Sequence, residues 1–214
     1  MSKQLQKMSE IGLVPLVVLE DAACAKPLGE ALVAGGIPVA EVTFRTDACL
    51  DIIRTMKEIP TLIVGAGTVH TVKQAEAAAA AGATFIVTPA YNPDVIDWCT
   101  AHKVDIVPGT VSPGEIEAVR ARGIKFCKFF PAAAYGGTAT LKALAGPFAD
   151  VQFLPTGGVS LDNMRDYLSL PNVAAVGGSF MTPGKLVKEQ DWDGIAAVCR
   201  GAVQKMLGLR IGHV

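Results

Sequence analysis

The feature that most constrains the fold is a regular alternation of short β-branched runs with alanine-rich stretches of helical character. This alternation is typical of βαβ units, which place parallel strands in one sheet and helices on its faces. Glycines close several of the helical stretches, as at Gly35, Gly82 and Gly123. The predicted strands are 13–19, 38–44, 61–65, 84–87, 104–107, 123–131, 151–154 and 173–176.

Eight such units with no linker between them predict an α/β fold, a (β/α)8 TIM barrel. A doubly wound open sheet is the alternative, but it needs fewer strands than the sequence contains. The 214 residues suit a single barrel domain spanning 1–214, and residues 1–10 add a short amphipathic N-terminal helix.

The composition argues against several classes of partner. Half of the residues are hydrophobic, only 18% are charged and the net charge is −1, so we expect a large core and no nucleic acid partner. No run is long enough to cross a membrane, and residues 1–10 lack the apolar core of a signal peptide. The five scattered cysteines suit reduced core thiols, which indicates a cytoplasmic protein.

The three histidines do not form a metal-binding pattern. His70, His102 and His213 show no spacing typical of metal ligands, and no cysteine lies beside them at such a spacing. We therefore expect each of them in a loop or at the surface, and we expect neither a metal nor a cofactor.

Lys128 is the most unusual residue of the chain, because it lies within the apolar run Ile124-Lys-Phe-Cys-Lys-Phe-Phe130. In a strand it shares a face with Phe126 and Phe130, whereas Lys125 lies on the other face near the strand start. Removal from water favours the neutral amine of a lysine, which can attack a carbonyl and form a Schiff base. The alternative is that Lys128 extends to solvent or pairs with a carboxylate.

Polar and glycine-rich segments follow several predicted strands, where barrel enzymes carry their chemistry. Alternation puts Glu41, Thr43 and Arg45 on one strand face, which we expect to point inward because parallel strands are apolar on both faces. There Glu41 can transfer protons and Arg45 can hold a carboxylate. The alternative is an exposed edge strand.

Three glycine segments stand at strand ends: Gly65-Ala-Gly-Thr68, Thr156-Gly-Gly158 and Gly177-Gly-Ser179. The last two follow the seventh and eighth strands, where barrel enzymes commonly bind phosphate through backbone N–H groups. We predict a phosphate site there, the alternative being plain tight turns.

Six motifs in this order resemble the bifunctional 2-keto-3-deoxy-6-phosphogluconate (KDPG)/4-hydroxy-2-oxoglutarate (KHG) aldolase family. The resemblance runs from about residue 15 to residue 183. The motifs are Glu41-Val-Thr-Phe-Arg-Thr, Gly65-Ala-Gly-Thr-Val, Lys128-Phe-Phe-Pro-Ala, Leu144-Ala-Gly-Pro-Phe, Pro155-Thr-Gly-Gly-Val-Ser and Gly177-Gly-Ser179.

The resemblance implies a homotrimeric class I aldolase that splits a phosphorylated 2-keto-3-deoxy sugar acid into pyruvate and glyceraldehyde 3-phosphate in the Entner–Doudoroff pathway. It further implies Lys128 as the Schiff-base residue and Glu41 as the proton-transfer residue. The binding residues implied are Arg45 and Thr68 for the carboxylate, Thr156 in the pocket, and Gly157, Gly158, Gly178 and Ser179 for the phosphate.

Two segments depart from the family pattern. Ala133 and Tyr135 replace polar residues that relatives carry after the lysine, and Thr88-Pro-Ala-Tyr-Asn92 replaces a more usual Ser-Pro-Gly. Both departures leave the preferred substrate open. The other functions that remain open are an aldolase for the galactonate epimer, a phosphosugar isomerase or epimerase, and a non-catalytic phosphosugar-binding barrel.

Overall fold

The computed structural model describes residues 2–208, within which helices and parallel strands alternate. The strands are β1 Leu13–Val17, β2 Val39–Thr43, β3 Ile63–Gly67, β4 Phe85–Val87, β5 Asp105–Val107, β6 Gly109–Thr110, β7 Phe126–Phe129, β8 Gln152–Pro155 and β9 Val176–Gly178. The α-helices are α1 Lys3–Ile11, α2 Ala25–Ala34, α3 Cys49–Met56, α4 Val72–Ala81, α5 Pro93–Ala101, α6 Pro113–Arg120, α7 Gly137–Leu144, α8 Met164–Leu168, α9 Gly184–Lys188 and α10 Trp192–Leu207. Short 3₁₀ helices cover Ala22–Cys24 and Ser179–Met181.

The strands form two parallel sheets, one ordered β5-β4-β3-β2-β1-β9 and one ordered β6-β7-β8. The predicted α/β fold with parallel strands is confirmed, but the hydrogen-bond ladder is not one continuous ring of eight strands. It breaks at Pro108, between β5 and β6, because proline has no N–H to donate. On the other side, two isolated bridges connect the β8 region to the β9 region. Phe153 of β8 pairs with Val173 before β9, and Thr156 after β8 pairs with Gly177 of β9.

Several strand boundaries differ from the prediction. The lysine strand covers only Phe126–Phe129, and β2 ends at Thr43 rather than at Phe44. The third and eighth strands start later and extend further than predicted, to Gly67 and Gly178. The helices α7 and α9 were not predicted, since both are short and begin in glycine-containing turns.

Helix boundaries follow the capping residues of the sequence. The side chain of Asn92 accepts a hydrogen bond from Val95 N–H at the start of α5, and Ser112 and Glu115 form a capping box at the start of α6. The helix predicted for residues 1–10 is α1, whose Leu5 and Met8 are buried, although residue 1 lies outside the described part.

The core is apolar and contains most of the cysteines. Every residue of β1 to β4 is buried, as expected for parallel strands covered by helices. All five cysteines are free, and four of them are buried. Burial raises the pKa of the Cys49 and Cys99 thiols to about 12, so they remain protonated. The thiols therefore serve as small core side chains, as predicted.

Within residues 2–208, none of the helices has both the length and the apolar character needed to cross a membrane. His70 and His102 are exposed, as predicted, whereas His213 lies outside the described residues.

Close packing between β3 and β4 leads us to predict how a substitution changes the stability of the fold. A Cβ on Gly65 would lie 2.3 Å from ring carbons of Phe85, which is fully buried on the neighbouring strand. We expect Gly65→Ala to lower the free energy of unfolding by about 1–3 kcal/mol, measured by urea denaturation, because the core is already filled.

Gly114→Ala is the matched control, since a Cβ on this exposed glycine of α6 would meet no atom within 4 Å. Its effect should stay within about 0.5 kcal/mol. Equal denaturation midpoints for the two variants would contradict close packing at Gly65.

Candidate active site

The centre of the candidate site is a buried pair of opposite charges. Lys128 of β7 is 3% exposed and Glu41 of β2 is 0% exposed. The distance from Lys128 Nζ to Glu41 Oε1 is 3.1 Å. The two residues come from different sheets, so the sheets face each other across this contact. The sequence offered two expectations for Lys128, burial in an apolar strand or pairing with a carboxylate. The structure shows both, because the lysine is buried and is also paired with Glu41.

Aromatic packing supports the lysine on its other side. Lys128 Nζ lies 5.1 Å from the ring centroid of Phe130, within range of a cation–π interaction. Lys125, by contrast, is exposed and bridges to Asp150 at 3.2 Å. It lines a cavity of about 450 Å³ at the amino-terminal ends of β5, β7 and β8, which is the opposite end of the strands from Lys128. The predicted contrast between the two lysines is confirmed.

The backbone of Lys128 is held by the segment before α6. Lys128 N–H donates to the carbonyl of Pro108 at 2.8 Å, and the hydroxyl of Thr110 donates to the carbonyl of Lys128 at 3.3 Å. On the other side of β7, Lys128 is in register with Leu154. The amine therefore projects from a strand that is paired on both edges.

Glu41 lies directly over the backbone of β3. A Cβ on Gly67 would come within 2.2 Å of Glu41 Oε1, so only glycine leaves room for this carboxylate. The second carboxylate oxygen, Oε2, is buried and has no hydrogen-bond partner among the described residues. A buried carboxylate oxygen without a donor is costly, so Oε2 is available to a donor from outside the described residues.

Thr156, at the end of β8, carries a second buried polar atom without a partner. Its hydroxyl Oγ1 has no hydrogen bond within residues 2–208, although its backbone N–H donates to the carbonyl of Phe129 at 3.0 Å. The other buried threonines donate their hydroxyls to backbone carbonyls: Thr43 to Val17, Thr88 to Ala90, Thr110 to Lys128 and Thr182 to Leu16. Thr156 is therefore the buried hydroxyl that remains available to a ligand.

The two predicted phosphate loops lie side by side. The bridge between Thr156 and Gly177 brings Gly157 and Gly158 next to Gly178 and Ser179. Gly157 and Gly158 have φ values of 90° and 81°, a region that only glycine adopts without strain. Gly158 and Ser179 are exposed, so an anion can reach both loops from solvent.

The predicted positions of the carboxylate-binding residues are partly wrong. Because β2 ends at Thr43, Arg45 does not continue the strand face of Glu41 but lies exposed in the following turn. There it lines a shallow cavity of about 290 Å³ with Phe44 and Asp47. The hydroxyl of Thr43 donates a hydrogen bond to the carbonyl of Val17 at 3.2 Å.

Thr68 has a strained backbone at the end of β3. Its φ is 59°, in the left-handed region that β-branched residues rarely adopt. Such strain is concentrated at functional sites, where surrounding structure holds it in place. Thr68 is half-buried and directly follows Gly67, beside the Glu41 carboxylate.

Two of the residues that depart from the family pattern, Ala133 and Tyr135, lie in the exposed loop after β7. Ala133 and Tyr135 are both exposed, and Ala133 N–H donates to the carbonyl of Gly157 at 2.9 Å. A Cβ on Gly158 would lie 2.3 Å from that of Ala133, so the loop after β7 packs closely on the first predicted phosphate loop.

Sequence reasoning missed the residues that position the pair, namely Pro108, Thr110 and Gly67. The glycine pattern 65–67 was the available signal for Gly67.

Within the described residues, no group of three or more His, Cys, Asp and Glu side chains is arranged to hold a metal ion.

Comparison with known proteins identifies relatives along most of the chain. Residues 5–198 match the model of the family "KDPG and KHG aldolase". The chain is 41% identical over 200 residues to the 2-dehydro-3-deoxy-phosphogluconate aldolase of Haemophilus influenzae, covering 93% of this chain and 94% of that protein.

Solved structures agree with this match. KDPG aldolase from Legionella pneumophila, with pyruvate captured as a covalent carbinolamine intermediate, superimposes with a TM-score of 0.90 at 36% identity and covers 94% of this chain and 98% of that one. The Zymomonas mobilis KDPG aldolase with 3-phosphoglycerate gives a TM-score of 0.89 at 38% identity, covering 94% and 95%. The chain therefore belongs to the KDPG and KHG aldolase family.

Proposed function

We propose that this chain is a class I aldolase that cleaves 2-keto-3-deoxy-6-phosphogluconate into pyruvate and glyceraldehyde 3-phosphate through a Schiff base on Lys128. The observation that carries the proposal is the buried Lys128–Glu41 pair at 3.1 Å. Family membership and the pyruvate carbinolamine captured in the Legionella pneumophila relative support it. The same apparatus acts on 4-hydroxy-2-oxoglutarate, which yields pyruvate and glyoxylate.

The first stage is formation of the Schiff base. Glu41 accepts a proton from the Lys128 ammonium, and the neutral amine attacks the C2 carbonyl to form a carbinolamine. The carbinolamine hydroxyl then takes up a proton and leaves as water, which produces the iminium. Glu41 suits both transfers because its Oε1 already contacts the amine and its Oε2 has no partner among the described residues.

The second stage is cleavage of the bond between C3 and C4. A base removes the proton of the C4 hydroxyl, the C3–C4 electron pair moves into the iminium, and glyceraldehyde 3-phosphate leaves. The remaining pyruvate enamine is protonated at C3, and hydrolysis of the resulting iminium releases pyruvate and regenerates the amine. We assign these proton transfers to Glu41, with a water as relay.

The rest of the site orients the substrate. We assign the carboxylate to Arg45 and Thr68, with Thr156 supplying its available hydroxyl within the pocket. Arg45 is exposed, so this role requires its side chain to turn inward when the anion binds. Gly157, Gly158, Gly178 and Ser179 hold the phosphate, and that binding energy positions the scissile bond near Lys128.

The assembly proposed is a cytoplasmic homotrimer of single-domain (β/α)8 barrels. The bridges from β8 toward β9 and the covalent link through Pro108 support closure of the two sheets into one barrel. The trimer is proposed from the family resemblance alone, and light scattering of the purified protein tests it. Free cysteines support a reducing compartment.

Trapping the Schiff base tests the central step. Borohydride with pyruvate should attach a reduced pyruvyl group to Lys128, mapped by peptide mass spectrometry, because Lys128 alone of the two strand lysines is buried beside a carboxylate. Lys125, exposed three residues earlier, is the internal control and should stay unlabelled. Label on Lys125 would contradict the assignment to Lys128. Absence of label would favour an isomerase or a non-catalytic barrel.

Gly67 offers a test of the Glu41 carboxylate that leaves both reacting residues in place. Gly67→Ala should displace Oε1, which lies 2.2 Å from the added Cβ, and lower kcat by roughly 10²-fold with a much smaller change in KM. Steady-state kinetics with the phosphorylated substrate measures both constants. Glu41→Gln should lower kcat by at least as much.

The double variant decides whether Gly67 acts through Glu41. If it does, Gly67→Ala should add little to the loss already caused by Glu41→Gln, since coupled residues are not additive. Fully additive losses would show that the alanine damages the site in another way.

Ser179 tests the phosphate assignment. Ser179→Asp puts a negative charge against the phosphate dianion and should lower kcat/KM for the phosphorylated substrate by at least roughly 10²-fold. Activity on unphosphorylated 4-hydroxy-2-oxoglutarate should fall by about tenfold or less, because that reaction needs only Lys128, Glu41 and Arg45.

Ser169→Asp is the control for added charge, because Ser169 is exposed at the end of α8. It should leave both activities unchanged. Equal losses on the two substrates in Ser179→Asp would indicate damage to the fold, and no loss on either would place the phosphate elsewhere.

A further inference from the structure

Thr88 lies at the seam where the two sheets meet. It follows β4 directly, its side chain is fully buried, and its hydroxyl makes two backbone hydrogen bonds. The hydroxyl donates to the carbonyl of Ala90 at 2.8 Å and accepts from Gly109 N–H at 3.1 Å. Gly109 begins β6, so Thr88 connects the six-stranded sheet to the three-stranded sheet.

The contact at this seam is close as well as hydrogen-bonded. A Cβ on Gly109 would lie 2.4 Å from the carbonyl carbon of Pro89 and 2.5 Å from the backbone nitrogen of Ala90. Since those are backbone atoms, neither strand end can move aside for a larger residue. The segment 108–110 is therefore held against the turn after β4 by packing, and its position along that turn is set by the Thr88 hydroxyl.

The same segment carries the reactive lysine. Gly109 is in register with Lys128, whose N–H donates to the Pro108 carbonyl at 2.8 Å. The peptide group between Pro108 and Gly109 thus connects the Thr88 hydroxyl to the backbone of Lys128. On the other side, β4 pairs with β3 and β3 with β2, the strand of Glu41.

This geometry matters because the Lys128–Glu41 contact spans the two sheets. Each sheet positions one member of the pair, and the 3.1 Å distance depends on how the sheets are placed relative to each other. A misplacement of about 1 Å in such a site costs roughly 10²-fold in rate. The seam between β4 and β6 therefore contributes to the distance between Lys128 and Glu41.

We propose that Thr88 is a positioning residue that holds β6 and β7 at the distance from β2 that Schiff-base formation requires. The inference rests on the proposed function.

The test compares two threonines that flank the same strand. Thr84 and Thr88 stand at opposite ends of β4, and the Thr84 hydroxyl also donates to a backbone carbonyl, that of Val64, at 3.1 Å. Thr84→Val and Thr88→Val each remove a hydroxyl and keep the side-chain shape. Circular dichroism first shows whether both variants fold. We then measure the rate of pyruvate trapping by borohydride, kcat, KM and the pH profile of kcat.

Thr88→Val should slow trapping and lower kcat by about tenfold or more, shift the pH profile and leave KM within about threefold. Thr84→Val should keep the wild-type trapping rate and pH profile, because its end of β4 lies away from Lys128. Thr88→Ser restores the hydroxyl and should return the trapping rate to within about threefold of the wild type.

Two results would overturn the proposal: a wild-type trapping rate in Thr88→Val, or equal losses in Thr84→Val and Thr88→Val. Absence of trapping in the wild type would instead overturn the proposed function, and the positioning role with it. Should Thr88→Val fail to fold, Thr88→Cys takes its place, because a thiol is a weak donor and acceptor, and the same order of rates is expected.

Discussion

The candidate site depends on one interaction, the contact between the Lys128 amine and the Glu41 carboxylate inside the protein. Removal of two charges from water is costly, and their mutual attraction offsets this cost only in part. A pair of this kind is poor evidence for stability. The function proposed above uses it for chemistry instead, because the two groups are in contact at 3.1 Å. The residues that surround the pair serve mainly to keep that distance.

Backbone geometry, rather than further charged groups, maintains the pair. Gly67 leaves room for the Glu41 carboxylate, and Pro108 and Thr110 hold the Lys128 backbone by hydrogen bonds. Since the two members come from different sheets, any change in the seam between the sheets changes the reactive distance. The strands are otherwise apolar and covered by helices, and this arrangement explains how they hold one buried contact between polar side chains.

The unpartnered polar atoms of the site indicate where a substrate binds. Glu41 Oε2 and Thr156 Oγ1 are buried without hydrogen-bond partners in the described part of the chain, whereas the other buried threonine hydroxyls are satisfied by backbone carbonyls. Two glycine loops lie next to Thr156 and are open to solvent. The proposed substrate has a carbonyl for Lys128 at one end and a phosphate for the glycine loops at the other, and this order agrees with the positions of these groups.

The sequence by itself determined the α/β class, the helix ends at Gly35 and Gly82, the burial of Lys128 and the exposure of Lys125, because these follow from local periodicity and side-chain chemistry. It also predicted the role of Glu41 through the motifs of the family. Tertiary structure alone decided that Glu41 contacts Lys128, that Arg45 leaves the strand face, and that Gly67, Thr88 and Thr110 position the pair. The reason is that each of these facts depends on where a strand ends or on which strands become neighbours, and the two-residue period of a strand carries neither kind of information.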